Sequence, residues 1–182
     1  NTRGSRFYSE SDPLGASDPY SSSKAAADIV AQSYIKQGVN ALIGRAGNVI
    51  GGGDWGRDRL VADLMKSIYE AEACVIRNPK AVRPWQHVFE PLSGYLMLAK
   101  ELYNRNENAV GVWNFGPYEA AHANVETIVR SFIKPTSYSI QPDDLKPETA
   151  ILQLDPTKAK NQLGWQPRLT LPEALKLTMD WY

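Results

Sequence analysis

Tyr20 and Lys24 stand four residues apart in Tyr20-Ser21-Ser22-Ser23-Lys24. On a helix that spacing puts a phenol and an ammonium on one face, about one turn apart. The ammonium favours the phenolate, so the pair is suited to taking a proton from a hydroxyl, and Lys24 can also donate to a ribose. A solvated helix face carries such pairs by chance as well, and the neighbouring sequence decides between the readings. Here the pair follows the loop Glu10-Ser11-Asp12-Pro13-Leu14-Gly15-Ala16-Ser17-Asp18-Pro19 and opens a small-residue helix, Lys24-Ala25-Ala26-Ala27-Asp28.

Three further segments carry groups suited to an anionic ligand. Arg45-Ala46-Gly47-Asn48-Val49-Ile50-Gly51-Gly52-Gly53-Asp54-Trp55 puts a charge and an amide at a strand's C-terminal end, where open α/β sheets bind ligands. Its glycines allow close backbone approach to phosphate; a plain strand-to-turn junction held by Asn48 is the alternative. Arg77-Asn78-Pro79-Lys80-Ala81-Val82-Arg83-Pro84-Trp85-Gln86-His87-Val88 is a basic cluster. Arg83 precedes a proline, which disfavours helix, so the expectation is an extended loop presenting a guanidinium for bidentate contact with a diphosphate. A solvated loop is again the alternative. In Trp113-Asn114-Phe115-Gly116-Pro117 Asn114 either faces a nucleotide or caps a turn. His87 has no partner at metal-ligand spacing, so no metal site is expected.

The elements that must position these groups follow the α/β rhythm. Apolar Ala26, Ile29, Val30 and Tyr34 recur at helical spacing from Tyr20 to about Gln37, with Gly38 as C-cap. The stretch Ala41 to Ile50 reads as one apolar strand running into the glycine turn. Further helices are expected at Leu60–Glu72, Pro91–Tyr103, Val125–Ile133, Thr157–Leu163 and Pro172–Trp181, with Asn124, Asp155 and Thr170 as N-caps. Short strands are expected at Cys74–Ile76, Val112–Phe115 and Ile151–Leu154. Trp165 is expected to pack the last helices against the body.

Composition excludes several function classes. Twenty Lys and Arg balance twenty Asp and Glu, so no long-range field draws the chain to nucleic acid or an anionic membrane. No apolar run approaches the ~18 residues a membrane span needs. The one cysteine, Cys74, lies among apolar neighbours and is read as a buried strand thiol, which favours a reducing, cytoplasmic setting. A length of 182 residues fits one domain. The polar start without a Met and the end inside an amphipathic helical pattern suggest a segment of something longer.

The ordered combination of DPYSSSK, RAGNVIGGGDW, RNP…RPWQHV and NFGP resembles the CDP-glucose 4,6-dehydratases of the extended short-chain dehydrogenase/reductase family. Tyr/Lys and Asn patterns are widespread in that family; the narrower match rests on GGGDW and RPWQH. The resemblance implies the C-terminal part of a Rossmann-like doubly wound parallel sheet plus a smaller mixed α/β substrate-binding region. Residues 1–50 and parts of 85–115 would belong to the sheet, and 51–84 with 116–182 mostly to the substrate region. It implies NAD as cofactor and CDP-glucose as substrate, with oxidation at C4, loss of water across C5 and C6, and hydride return to C6. Tyr20 and Lys24 would be catalytic and, with Ala46 and Asn48, cofactor-binding. Asn48, Arg59, Leu60, Arg77, Arg83 and Asn114 would bind substrate. A homodimer or higher oligomer through the Ala-rich helix is also implied. Absent are the glycine fingerprint for a dinucleotide and the short Ser/Thr-Asp-Lys or Ser/Thr-Asp-Glu segment that precedes the Tyr in that family and supplies the acid/base pair for elimination; both would lie upstream of Asn1. A sugar-nucleotide epimerase, a dehydratase for another nucleotide and a non-catalytic nucleotide-sugar-binding module are the alternatives.

Overall fold

A computed structural model describes residues 7–15, 18–118, 121–134, 137–141 and 150–182; residues 1–6, 16 and 17 of the expected N-terminal loop lie outside these. In chain order the elements are α1 (Pro19–Lys36), β1 (Leu42–Ala46), β2 (Asn48–Ile50), α2 (Leu60–Glu70), β3 (Cys74–Ile76), β4 (Val82–His87), α3 (Phe89–Tyr103), β5 (Gly111–Phe115), β6 (His122–Asn124), α4 (Val125–Phe132), β7 (Tyr138–Ile140) and α5 (Leu171–Trp181). They fall into two units: Asn1–Ala46, Phe89–Gly116 and Leu154–Arg168 form the first, and Gly47–Val88, Pro117–Gln153 and Leu169–Tyr182 the second.

Local chemistry accounts for the helix ends. The Asp18 carboxylate accepts from the Ser21 amide at 2.8 Å, with Pro19 in the first turn, and satisfies one of the amides a helix start leaves open. Gly38, at φ +91°, turns the chain out of α1 in a conformation that favours glycine. Asn124 caps α4 by accepting from the Thr127 amide at 2.8 Å. At α5 the Glu173 carboxylate reaches back to the Thr170 amide at 2.7 Å, as in a capping box.

In the first unit β1 pairs in parallel with β5, from Leu42 opposite Gly111 to Ala46 opposite Phe115. Trp113, Phe115, Leu98, Ala109, Ala159 and Trp165 form its core. Phe115 and Trp165 meet edge to face at 5.0 Å, and the Trp165 indole donates to the Ser93 hydroxyl at 2.9 Å. In the second unit β4 lies between parallel β2 and antiparallel β6, and β3 pairs in parallel with β7. Ile50, Val61, Trp85, Ile128, Ala174 and Leu175 form one cluster there. Leu64, Cys74, Ile76 and Val129 form another, so the Cys74 thiol is buried, and burial pushes its pKa up. Parallel pairing with covering helices is the α/β arrangement expected of a Rossmann-like fragment.

The structure departs from the expected elements in four places. The strand expected over Ala41 to Ile50 is two strands, broken at Gly47, because β1 pairs with β5 and β2 with β4. A Cβ on Gly47 would come within 2.6 Å of the Pro84 carbonyl, so the break needs glycine. The basic segment is not a loop around Arg83 but strand β4. Pro84 is tolerated in it because it sits where the strand changes partners: β6 pairs with Val82–Pro84 and β2 with Trp85–His87. Ile151 and Leu154 form isolated bridges, to Val82 and Tyr8, rather than one strand. The expected Thr157–Leu163 helix is helical over that span but turns π-helical at Ala159–Leu163, ended by Gly164 at φ +70°. Strands β6 and β7 had no periodic signature in sequence. No helix among the described residues is long and apolar enough to cross a membrane.

Candidate active site

Tyr20 and Lys24 lie in the first two turns of α1, in the first unit. Tyr20 is 72% exposed and Lys24 is exposed. Among the described residues neither side chain has a hydrogen-bond or ionic partner. A phenol and an ammonium one turn apart, both open to solvent and unengaged, form a donor set able to receive a ribose and a substrate hydroxyl. The helix that carries them is tied down further along: Asp28 accepts from Arg45 Nε at 2.7 Å and Nη2 at 3.0 Å, and from Gln32 at 2.6 Å. The Arg45 guanidinium, acting against burial, holds the Asp28 carboxyl below its usual range.

Two other candidates also belong to the first unit. Ala46 ends β1 opposite Phe115. Asn114 is 1% exposed; its backbone amide donates to Glu10 Oε1 at 2.8 Å and its side-chain amide to the Tyr8 carbonyl at 3.1 Å. Its donors thus strap the segment that leads to Tyr20, while its Oδ1 is buried without a partner.

The remaining candidates belong to the second unit. Asn48 opens β2 opposite Trp85. Arg59 stands at the N-cap of α2, and Leu60 begins that helix with its side chain against the core. Arg59 Nη1 donates to both Asp54 oxygens, at 2.9 and 3.0 Å, and Arg77 pairs with Asp58. Burial raises the Asp54 carboxyl, but the Gly56 amide and the Arg59 guanidinium outweigh it and leave the group below its usual range. Two of the expected substrate arginines therefore converge on one loop, Gly51 to Arg59. Arg83 does not join them: it is 9% exposed within β4, and its Nη1 donates to the Val82 carbonyl at 2.8 Å.

Sequence reasoning missed Asp58, Trp181 and Tyr182. Asp58 adopts φ +60°, a turn role that Asp tolerates, and it holds Arg77. Tyr182 contacts Asp54 across 128 positions, and no local pattern signals that. Among the described residues no group of three or more His, Cys, Asp or Glu is placed to hold a metal ion.

The family model for GDP-mannose 4,6 dehydratase matches residues 2–178. The chain is 41% identical, over 96% of its own length and 53% of the relative's, to CDP-glucose 4,6-dehydratase of Salmonella typhimurium. The structure of dTDP-glucose 4,6-dehydratase from Bacillus anthracis in complex with NAD superposes with a TM-score of 0.83 at 24% identity. That match covers 98% of this chain and 56% of that one. UDP-glucuronic acid 4-epimerase from Bacillus cereus gives 0.84 at 19%, covering 98% and 56%; both likenesses establish the fold alone. The chain spans about half the length of the curated relatives it matches. A match over nearly every residue, on a fold shared with dehydratases and epimerases, places the chain in the GDP-mannose 4,6 dehydratase family.

Proposed function

We propose that the chain is the catalytic-helix and substrate-binding part of a sugar-nucleotide 4,6-dehydratase acting on CDP-glucose. The observation that carries this reading is the solvent-open, unengaged Tyr20 and Lys24 pair at the start of α1. Support for the nucleotide comes from the 41% identity to a CDP-glucose 4,6-dehydratase. NAD, when bound, supplies reversible acceptance of a hydride. Tyr20 takes the proton of the C4 hydroxyl as that carbon is oxidised, and Lys24 holds the nicotinamide ribose. Ala46 and Asn48 complete this chain's share of the cofactor contacts. Arg59 and Arg77, with the start of α2 at Leu60, provide positive charge for the diphosphate and so hold the sugar in place between its oxidation and its reduction. Asn48, Arg83 and Asn114 complete the proposed substrate set. Water is lost across C5 and C6, and the net product is the 4-keto-6-deoxy sugar nucleotide.

A second copy of the chain is the proposed partner, seated on the exposed Ile29, Val30 and Tyr34 of α1, and a cytoplasmic setting accords with the lone, buried Cys74. The test is incubation with CDP-glucose and NAD, followed by the near-ultraviolet absorbance that 4-keto-6-deoxy sugars develop in alkali. A signal in the wild type that is lost in Tyr20→Phe establishes the dehydratase reading for this chain. A C4-epimerised sugar with no keto product moves the reading to an epimerase. Binding of CDP-glucose without either product leaves a binding module, and no binding overturns the reading.

A further inference from the structure

Sequence reading assigned the glycines of Gly51-Gly52-Gly53-Asp54 to close approach by a phosphate. In the structure the space beside them is filled. A Cβ on Gly52 would lie 2.0 Å from Trp181 Cγ, and one on Gly53 would lie 3.2 Å from Trp181 Cζ2. Next to Trp181, the Tyr182 hydroxyl accepts from the Asp54 amide at 3.0 Å and donates to the Asp54 carbonyl at 2.8 Å. One phenol thus serves both backbone polar groups of a single turn residue. Trp55 stands edge to face with Tyr182 at 5.1 Å, and Trp181 does so at 5.2 Å, arrangements favoured by the ring quadrupoles. Burial raises the Tyr182 pKa.

The held residue is the one that holds Arg59. With its backbone fixed, Asp54 directs its carboxylate to the Gly56 amide at 3.0 Å and to Arg59 Nη1. The Arg59 side chain is 66% exposed, so its direction comes from polar partners rather than packing, and Asp54 is one of them. We propose that Tyr182, backed by Trp181, is a positioning residue that fixes the Gly51–Asp54 turn so that Asp54 presents Arg59 to the nucleotide diphosphate. The proposal rests on the reading of Arg59 as a diphosphate ligand. Positioning of this kind strengthens binding by removing the ordering cost of a long side chain.

The experiment titrates CDP into the chain by calorimetry for wild type, Tyr182→Phe, Arg59→Ala and the double variant. Hydrogen exchange of the amides from 51 to 59 is measured on the same proteins. Tyr182→Phe keeps the ring and removes only the hydroxyl. It is expected to speed exchange across the turn and to weaken CDP binding by about fivefold, the worth of one ordinary hydrogen bond. The double variant is expected to bind no more weakly than Arg59→Ala alone, since Tyr182 acts through Arg59. Unchanged CDP affinity in Tyr182→Phe beside a loss in Arg59→Ala overturns the positioning role, and so do additive losses. If CDP does not bind, or Arg59→Ala binds it as the wild type does, the diphosphate reading fails; the clamp then stands on faster exchange in Tyr182→Phe and falls if exchange is unchanged.

Discussion

Arginine shows how far residue type alone reaches in this chain. Arg45, Arg59, Arg77 and Arg83 share a chemistry but not a role. Arg45 ties α1 to β1 through Asp28, and Arg59 and Arg77 are held by loop carboxylates. Arg83 is buried in a strand with its own neighbour's carbonyl as one acceptor. Asp28→Asn leaves a half-buried guanidinium without its counter-charge and is expected to cost about 1.5–3 kcal/mol, the range for hydrogen bonds to charged groups, in a urea melt. The folded pKa of Asp28 lies below the ordinary aspartate value of 3.8. The unfolded state therefore binds the proton first, and this contribution, present in full above that value, is lost as pH falls through the folded pKa. Acid melts of the wild type should show that loss and those of Asp28→Asn should not.

At the scale of elements, close approach of backbones decides where glycine is required. A Cβ on Gly94, in α3, would fall 2.3 Å from the Phe115 ring, and one on Gly44, in β1, 2.5 Å from Tyr95. Phe115 is fully buried, against Trp165 and Tyr95, so it has little room to yield. Gly94→Ala is expected to destabilise by about 1–3 kcal/mol, the cost of overpacking, despite the better helix propensity of Ala. A thermal melt at or above that of the wild type would refute this. Helices α1, α2, α4 and α5 fall within one or two residues of their expected limits because caps and apolar periodicity are written locally. Strand β4 escaped the reading because a proline inside a strand argues against one until both partners are known.

At the scale of the whole molecule, each core is assembled from distant segments. Ile128, from α4, is fully buried with Val61 of α2, Trp85 of β4 and Leu175 of α5. Ile128→Ala is expected to cost about 2–5 kcal/mol, the range for such truncations, and to speed hydrogen exchange together in α2, β4 and α5; a change confined to α4 would contradict a shared core. By itself the sequence determined the α/β class, the helix limits, the Cys74–Ile76 strand and the Tyr20 and Lys24 spacing. These depend on interactions within a turn or two of chain, or on a pairing of residue types that leaves a local trace. Only the tertiary structure decided that Arg83 is buried, that the chain breaks pairing at Gly47 and that Tyr182 meets Asp54. Those outcomes depend on which remote backbone arrives alongside, and contacts across 128 positions are selected by packing that no short window of sequence contains.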